Sequence, residues 1–227
     1  KRPKIKPSEA GRLAVESYLP PKDKKWVAIQ LRASSQPRSY PTSGFALFVG
    51  PALARAGYQV FFTGSRYDWN GYTKRYCQEC GADAVVEDNN FANCRKCGRV
   101  ELAKTLKKTI PPEDMGIIDL CGVMESMSEL YEAYRRMDLV ISPDSAALHI
   151  AGSWGVPCIS LFGIFDHELR TKYYPTVYPY AMQGKADCAP CFSVGTHLQC
   201  DNKSCIALSS ILPQSIIDKA LDILQNC

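Results

Sequence analysis

The stretch DLVISPDSAALHIAGSWGVPCISLFG, residues 138–163, is the most informative part of this sequence. It predicts a buried strand over 138–142, a short helix from about Ser145 to Trp154, and a second buried strand over 156–163. A strand, a helix and another strand in this order are typical of a parallel sheet. We therefore predict an α/β fold whose parallel sheet is covered by helices on both faces.

The same alternation extends outward in both directions. Apolar runs predict strands over 26–31, 58–64 and 117–122, with a sixth candidate over 177–182. Helical spacing predicts helices over 42–57, with a kink at Pro51, from a capping box at Ser126 to about Met137, and over 213–226. In such sheets the ligand lies at the carboxyl ends of the strands. The loops 32–42, 64–70, 122–127, 143–146 and 163–170 are therefore candidates for a binding site.

Length and composition limit the classes of protein that fit. The chain has 227 residues, of which 46% are hydrophobic, so we expect one folded α/β domain plus a small module and not a disordered protein. No run of about 18 apolar residues is present, and no signal peptide is evident, so a membrane span is not expected. The net charge of +4 owes much to lysines and arginines near the amino terminus. Such a run is usually a solvated tail, so nucleic-acid binding is not expected.

The chain divides into three parts. Residues 1–25 contain four prolines and predict a linker with a short helix. Residues 26–227 predict the main domain, interrupted over 67–100 by a polar, cysteine-containing insertion.

Two matching motifs in the insertion predict a metal site. Cys77 and Cys80 form one CxxC pair, Cys94 and Cys97 form another, and a glycine follows each pair. Four thiolates at this spacing can hold a structural zinc ion, as in a zinc ribbon. The alternatives are two redox-active pairs, or a spacing that arose by chance. Paired CxxC motifs without a secretion signal also predict a reducing cytoplasm.

A second group of cysteines lies near the carboxyl terminus. Cys188, Cys191, Cys200 and Cys205 are candidates for another metal site, although their spacing is irregular and His197 competes as a ligand. Free thiols in a cysteine-rich loop are the alternative.

Two segments are suited to phosphate. The helix that starts after Asp144, Ser145 and Ala146 offers unpaired N–H groups and the positive end of its dipole. Asp144 would cap or orient the turn, Ser145 would donate its hydroxyl, and His149 lies one turn further along the same face. A plain helix cap and a buried core histidine are the alternatives for these residues. The loop 32–38, the serine loop, adds two hydroxyls and two guanidinium groups.

The order of these features resembles the carboxyl-terminal domain of glycosyltransferase family 9, the heptosyltransferase-like enzymes. The similarity rests on the serine loop, Gly-Ser-Arg at 64–66, Ser-Met-Ser-Glu-Leu at 126–130, the Asp-Ser-x-x-x-His pattern at 144–149 and Leu-Phe-Gly at 161–163. It covers roughly 20–66 and 117–227 and leaves the cysteine insertion out.

The resemblance implies the GT-B architecture, in which two Rossmann-like domains face each other across a cleft. The carboxyl-terminal domain then binds a nucleoside diphosphate sugar, which an inverting enzyme of bacterial cell-surface polysaccharide synthesis transfers to a hydroxyl group. The implied donor-binding residues are Ser34, Ser35, Arg38, Ser65, Arg66, Met127, Asp144, Ser145, Ala146 and His149.

This sequence departs from the family pattern in two ways. Ala146 stands where the family has glycine, so its methyl group would crowd a phosphate. The amino-terminal domain, which would carry the acceptor site and the general base, is not in the sequence. We therefore expect no catalytic residue here, and a chain that binds donor without turnover. A non-catalytic binding module with a retired transferase fold and a zinc-ribbon contact surface is the alternative. A zinc-ribbon nucleic-acid binder is a third hypothesis.

Overall fold

The structure is a computed structural model and describes residues 6–65, 72–75, 85–88, 91–94, 100–102, 107–110, 115–192 and 205–226. Its strands are β1 (Trp26–Gln30), β2 (Gln59–Thr63), β3 (Tyr72–Arg75), β4 (Val85–Asp88), β5 (Phe91–Cys94), β6 (Val100–Leu102), β7 (Lys107–Ile110), β8 (Ile117–Asp119), β9 (Leu139–Pro143), β10 (Cys158–Phe162) and β11 (Met182–Gln183). Its α-helices are α1 (Glu9–Tyr18), α2 (Thr42–Gly44), α3 (Gly50–Arg55), α4 (Met127–Arg135), α5 (Ala146–Trp154), α6 (His167–Thr171), α7 (Ile206–Ser209) and α8 (Pro213–Asn226).

Six parallel strands form the central sheet in the order β11-β10-β9-β1-β2-β8. β1 lies in the middle, where Val27 is paired with Val60 of β2 and with Leu139 of β9. Every residue of β9 and β10 is buried, and so are four of the five residues of β1. Burial on both faces explains why these strands are continuous apolar runs. The predicted parallel sheet is confirmed.

Helices cover both faces of this sheet, and the residues of β1 alternate between them. Val27 and Ile29 belong to a core cluster that contains residues of α3, α7 and α8, whereas Trp26 and Ala28 belong to a second cluster with residues of α4 and α5. This alternation follows from the pleat of a strand. The predicted α/β class, with helices on both faces, is confirmed.

The predicted helix over 42–57 contains a π-helical turn in place of a simple kink. Residues Phe45–Val49 form this turn between α2 and α3, and the Gly50 N–H donates to the Phe45 carbonyl, five residues back. Pro51 follows directly; it has no N–H, and its ring would meet the carbonyl four residues back in a regular helix. The wider turn accommodates the proline while the helix continues to Arg55.

The sixth strand is shorter than the predicted range of 177–182. Tyr178–Tyr180 form a 3-10 helix, and only Met182–Gln183 pair with β10. Pro179 lies at the start of that helical turn, where its missing N–H leaves no bond unmade. The proline therefore shifts the strand toward the carboxyl terminus.

Residues 6–25 contain the predicted short helix. Ser8 caps α1 by accepting a hydrogen bond from the Gly11 N–H, and its own N–H donates to Ser128 Oγ on α4 at 2.6 Å. Arg136 pairs with Glu16 of α1 at 2.9 Å. α1 is thus packed on α4 and held there by polar contacts at both ends.

A small antiparallel part lies between β2 and β8 in the sequence. β3 pairs with β7, and β4, β5 and β6 form a three-stranded sheet. These strands reach Ile110, whereas the predicted insertion ends at residue 100. Cys77, Cys80 and Cys97 lie outside the described residues, and only the backbone of Cys94 is described. The predicted zinc ligands therefore stay a prediction.

Among the described helices, none combines the length and the apolar character that crossing a bilayer requires.

Two buried tyrosine hydroxyls provide a matched test of the core. The Tyr134 hydroxyl lies 2.8 Å from both Thr63 Oγ1 and Gln30 Oε1, whereas the Tyr18 hydroxyl is buried without a hydrogen-bond partner among the described residues. Tyr134→Phe should lower the free energy of unfolding by about 1–3 kcal/mol, because it leaves buried polar atoms unpaired. Tyr18→Phe should leave it unchanged or raise it slightly. Urea unfolding of both variants measures the difference, and equal losses would contradict the assignment of these bonds.

Candidate functional site

A cavity of about 730 Å³ lies at the carboxyl ends of the central strands. Four segments line it, one after each of β1, β2, β8 and β9, and the residues are Gln30, Arg32, Ala33, Ser34, Ser35, Arg38, Ser39, Gly64, Ser65, Met124, Glu125, Ser126, Met127, Leu130, Ser145, Ala146 and Ala147. This is the edge at which parallel sheets bind ligands. The fifth candidate loop, 163–170, contributes no residue to the lining.

The start of α5 forms one wall of the cavity. Ser145 is the residue that caps this helix: its Oγ accepts from the Ala147 N–H at 3.2 Å and lies 2.8 Å from Ser142 Oγ. Of the two roles expected for Asp144, to cap or to orient the turn, the first is therefore wrong, because Ser145 is the cap. The helix is preceded by a buried strand and is itself apolar, so its amino terminus is held firmly against the cavity.

Asp144 lies behind the cavity lining and is only 4% exposed. Its Oδ2 makes no hydrogen bond with the described residues and lies 3.8 Å from Arg38 Nη1. Burial raises the pKa of this carboxyl, while the charges of Arg170, Arg38 and His149 oppose the shift. The site thus contains a carboxylate whose burial outweighs the surrounding positive charge.

The loop after β1 is tied together by its own side chains. Arg38 Nε donates to Ser35 Oγ at 3.0 Å, and its Nη2 donates to Ser34 Oγ. Ser39 Oγ accepts from the Ala33 N–H at 3.2 Å and donates to the Ser35 carbonyl at 3.0 Å. The role of Ser39 could not be predicted from the sequence, because it depends on how this loop folds back on itself.

His149 does not line the cavity. Its Nδ1 lies 3.3 Å from the Tyr174 hydroxyl, and the two rings meet edge to face with centroids 5.7 Å apart. Burial lowers the pKa of the imidazole, and the charge of Asp144 opposes this. His149 therefore interacts electrostatically with Asp144 and does not line the cavity itself.

Most of the other predicted residues do meet at the cavity. Its lining includes Ser34, Ser35, Arg38, Ser65, Met127, Ser145 and Ala146, whereas Arg66 lies outside the described residues.

The sequence prediction did not include several lining residues. Gln30 is one, because it belongs to a strand that is otherwise apolar. Arg32 was noted only as part of the loop. Met124 and Leu130 join Met127 in an apolar part of the lining that the helical spacing around Ser126 would have indicated.

The cysteines near the carboxyl terminus are only partly described. Cys188 is an exposed free thiol and Cys205 is a buried one. Cys191 is exposed, and Cys200 lies outside the described residues. No group of three or more metal-ligating side chains occurs within the part of the chain that the structure describes.

Residues 91–201 match the family model Glycosyltransferase family 9 (heptosyltransferase). That segment contains Met127 and the stretch from Asp144 to His149. Among curated proteins, no sequence matches this chain.

Solved heptosyltransferases share the fold. The E. coli ADP-heptose LPS heptosyltransferase II matches with a TM-score of 0.59 and 14% identity, over 99% of this chain and 54% of its own. The glycosyl transferase family 9 protein of Veillonella parvula matches with a TM-score of 0.56 and 19% identity, over 98% of this chain and 54% of its own. E. coli heptosyltransferase WaaC, solved with ADP-2-deoxy-2-fluoro heptose, matches with a TM-score of 0.53 and 13% identity, over 100% of this chain and 51% of its own.

The chain has a heptosyltransferase-like fold. It spans about half the length of the structures that it matches.

The buried carboxylate predicts a variant that stabilises the chain. Because burial raises the pKa of Asp144, the folded chain binds a proton there more tightly than the unfolded chain does. The contribution of this carboxyl to the free energy of unfolding is largest below its pKa in the unfolded chain, about 4. It is lost as the pH rises through its pKa in the folded chain. Asp144→Asn carries no charge, so it should be more stable than the wild type at pH 7.

Denaturant unfolding at pH 7 and near pH 4 measures this effect. The advantage of Asp144→Asn should shrink at the lower pH, and Asp23→Asn, which changes an exposed carboxyl, is the control. A variant that is less stable than the wild type at pH 7 would show that the arginines outweigh burial.

Proposed function

We propose that this chain is the donor-binding half of a glycosyltransferase that transfers a sugar from a nucleoside diphosphate sugar to a hydroxyl group. The observation that carries the proposal is the cavity itself: a helix amino terminus, a serine loop and two arginines meet at the carboxyl edge of the sheet. The heptosyltransferase-like fold supports the proposal. WaaC, one of the structures that share this fold, was solved with an ADP-sugar, which supports it further.

Each wall of the cavity suits one part of such a donor. The start of α5 and the two arginines of the serine loop offer positive charge to the diphosphate. Ser34 and Ser35 offer hydroxyls to phosphate or sugar oxygens, and Ser65, with Arg66, would lie at the ribose. The apolar side chains of Met124, Met127 and Leu130 offer a surface for the base.

The chemical task of this half is to stabilise the departing nucleoside diphosphate. Negative charge grows on the phosphate as the sugar leaves, and donors fixed before the reaction lower the barrier most. Ser145 is fixed by Ser142 and by the helix it caps, and Arg38 is fixed by the serine loop. The exposed methyl group of Ala146 narrows the approach to the helix start, so we expect modest affinity.

The other half of the reaction belongs outside this chain. The solved relatives are about twice as long, and we propose that an amino-terminal domain supplies the acceptor site and the general base. Inversion at the sugar, and a role in bacterial cell-surface polysaccharide, are part of the same proposal. On its own the chain should bind donor without turning it over.

We also propose one structural zinc ion, held by Cys77, Cys80, Cys94 and Cys97. The repeated CxxCG spacing supports it, and a reducing cytoplasm is the compartment that suits such thiolates. A second metal at Cys188, Cys191, Cys200 and Cys205 is a further proposal. One structural relative, TibC of enterotoxigenic E. coli, is described as iron-containing, so iron is tested beside zinc.

Nucleotide binding tests the donor site. Calorimetry of the chain with ADP, GDP, CDP and UDP should find at least one that binds more tightly than about 1 mM. Arg38→Ala should weaken that binding by about 1.5–3 kcal/mol, because it removes a cation and releases two serines. Ser145→Gly should weaken it by about 1 kcal/mol, the value of one hydrogen bond. Glycine is used because it still tolerates a helix cap position.

Ser17→Ala is the matched control, since this exposed hydroxyl lies on α1 and bonds only to the Ala14 carbonyl among the described residues. If none of the four nucleotides binds, the donor-site assignment fails, and a non-catalytic module with a retired fold becomes the better explanation.

Metal content tests the cysteine proposals. Elemental analysis of chain purified without chelator should give one zinc per chain, and Cys77→Ser should remove it because four-coordinate zinc loses a ligand. Two metals per chain, one of them lost in Cys191→Ser, would support the second site. Less than half an equivalent of metal, unchanged by Cys77→Ser, would contradict the ribbon.

A further inference from the structure

The two guanidinium groups in the cavity are in different situations. Arg38 donates to Ser34 and Ser35 and faces the Asp144 carboxylate at 3.8 Å. Within the part of the chain that the structure describes, the Arg32 guanidinium makes no hydrogen bond and no ion pair, although it is half-buried and lines the cavity. One arginine therefore serves the loop, and the other is available to a ligand.

Arg32 follows a strand that lies between two other strands whose loops line the cavity. It follows β1 by two residues, and β1 is flanked by β9 and β2, whose own loops form two other walls. The Leu31 N–H continues the sheet by donating to the Thr63 carbonyl at 3.0 Å. The backbone that carries Arg32 is thus an extension of a strand that is buried in four of its five residues.

A partly buried chain of hydrogen bonds fixes the backbone at Arg32. Gln30 Nε2 donates to the Arg32 carbonyl at 3.0 Å, and Gln30 Oε1 accepts from the Tyr134 hydroxyl at 2.8 Å. Tyr134 is among the largest fully buried side chains, and Thr63 Oγ1 completes the network. An anchored backbone below a free guanidinium loses little conformational entropy when a ligand binds.

The charges of the lining lead to the same residue. Among the described lining residues, Arg32 and Arg38 are the cations and Glu125 is the acid. Arg38 already faces the carboxylate of Asp144, and Glu125 is exposed on the far side of the cleft, before α4. A diphosphate carries two or more negative charges and accepts paired hydrogen bonds, which a guanidinium fork satisfies.

We propose that Arg32 binds the diphosphate of the donor directly, and that Arg38 is a positioning residue that shapes the serine loop. This inference rests on the proposed function and assigns within it a residue that the family-like pattern did not include. Arg32 follows β1 and α5 follows β9, and these two strands are neighbours in the sheet, so the guanidinium and the helix start supply positive charge from adjacent segments.

The test compares nucleoside diphosphates with the matching monophosphates. The 227-residue chain and its variants are titrated by calorimetry with ADP, GDP, CDP and UDP, and with AMP, GMP, CMP and UMP. Arg32→Ala should weaken the tightest diphosphate by about tenfold or more, the scale of a lost charge-assisted hydrogen bond. The monophosphate should lose much less, so the preference for the second phosphate should shrink.

The other variants separate binding from folding. Arg32→Lys should restore part of the preference, since it keeps the charge without the fork. Arg38→Ala should weaken both ligands by a similar factor and lower the melting temperature, because the loop loses its internal bonds. Arg55→Ala, which removes an exposed arginine at the end of α3, should change neither ligand.

Two outcomes are distinguishable. If the wild type binds none of the nucleotides, the proposed function fails and takes this inference with it. If the wild type binds a diphosphate and Arg32→Ala either behaves like Arg55→Ala or weakens both ligands equally, the donor site stands and the assignment of Arg32 is overturned.

Discussion

The pairing of β1 with β2 on one side and β9 on the other is the constraint on which the rest of the structure depends. It buries β1 on both faces and brings the ends of three strands to one edge. Segments that are more than a hundred residues apart in the chain, around Arg32 and Ser145, both become walls of one cleft. No local preference of either loop would bring them together.

The polar groups of the cleft lower the stability of the fold. Asp144 Oδ2 is buried and accepts no hydrogen bond from the residues that the structure describes, and the positive charges around this carboxyl do not fully offset the loss of water. Buried groups of this kind are common where a protein binds ligands, because the surrounding structure has to hold them in place.

Much of the scaffold could be predicted from the sequence, and the polar details could not. The runs around Val27, Val60 and Ile141 predict buried parallel strands because their hydrophobic character is continuous, and the capping box at Ser126 marks the start of α4. The choice of Ser145 over Asp144 as the cap depends on the backbone angles at a single turn. The role of Gln30 depends on Tyr134, 104 residues away, which no local pattern indicates.

The neighbouring position of β2 and β8 has a consequence for the segment between them. Since Phe61 and Ile118 are paired in the same sheet, both ends of that segment are fixed one strand spacing apart, whatever lies between. Closing a flexible loop twice as long adds only about 0.6 kcal/mol of entropy. The insertion can therefore be lengthened, shortened or exchanged for a foreign domain while Gly64 and the wall of the cleft keep their place, which makes it a suitable point for attaching a fluorescent reporter.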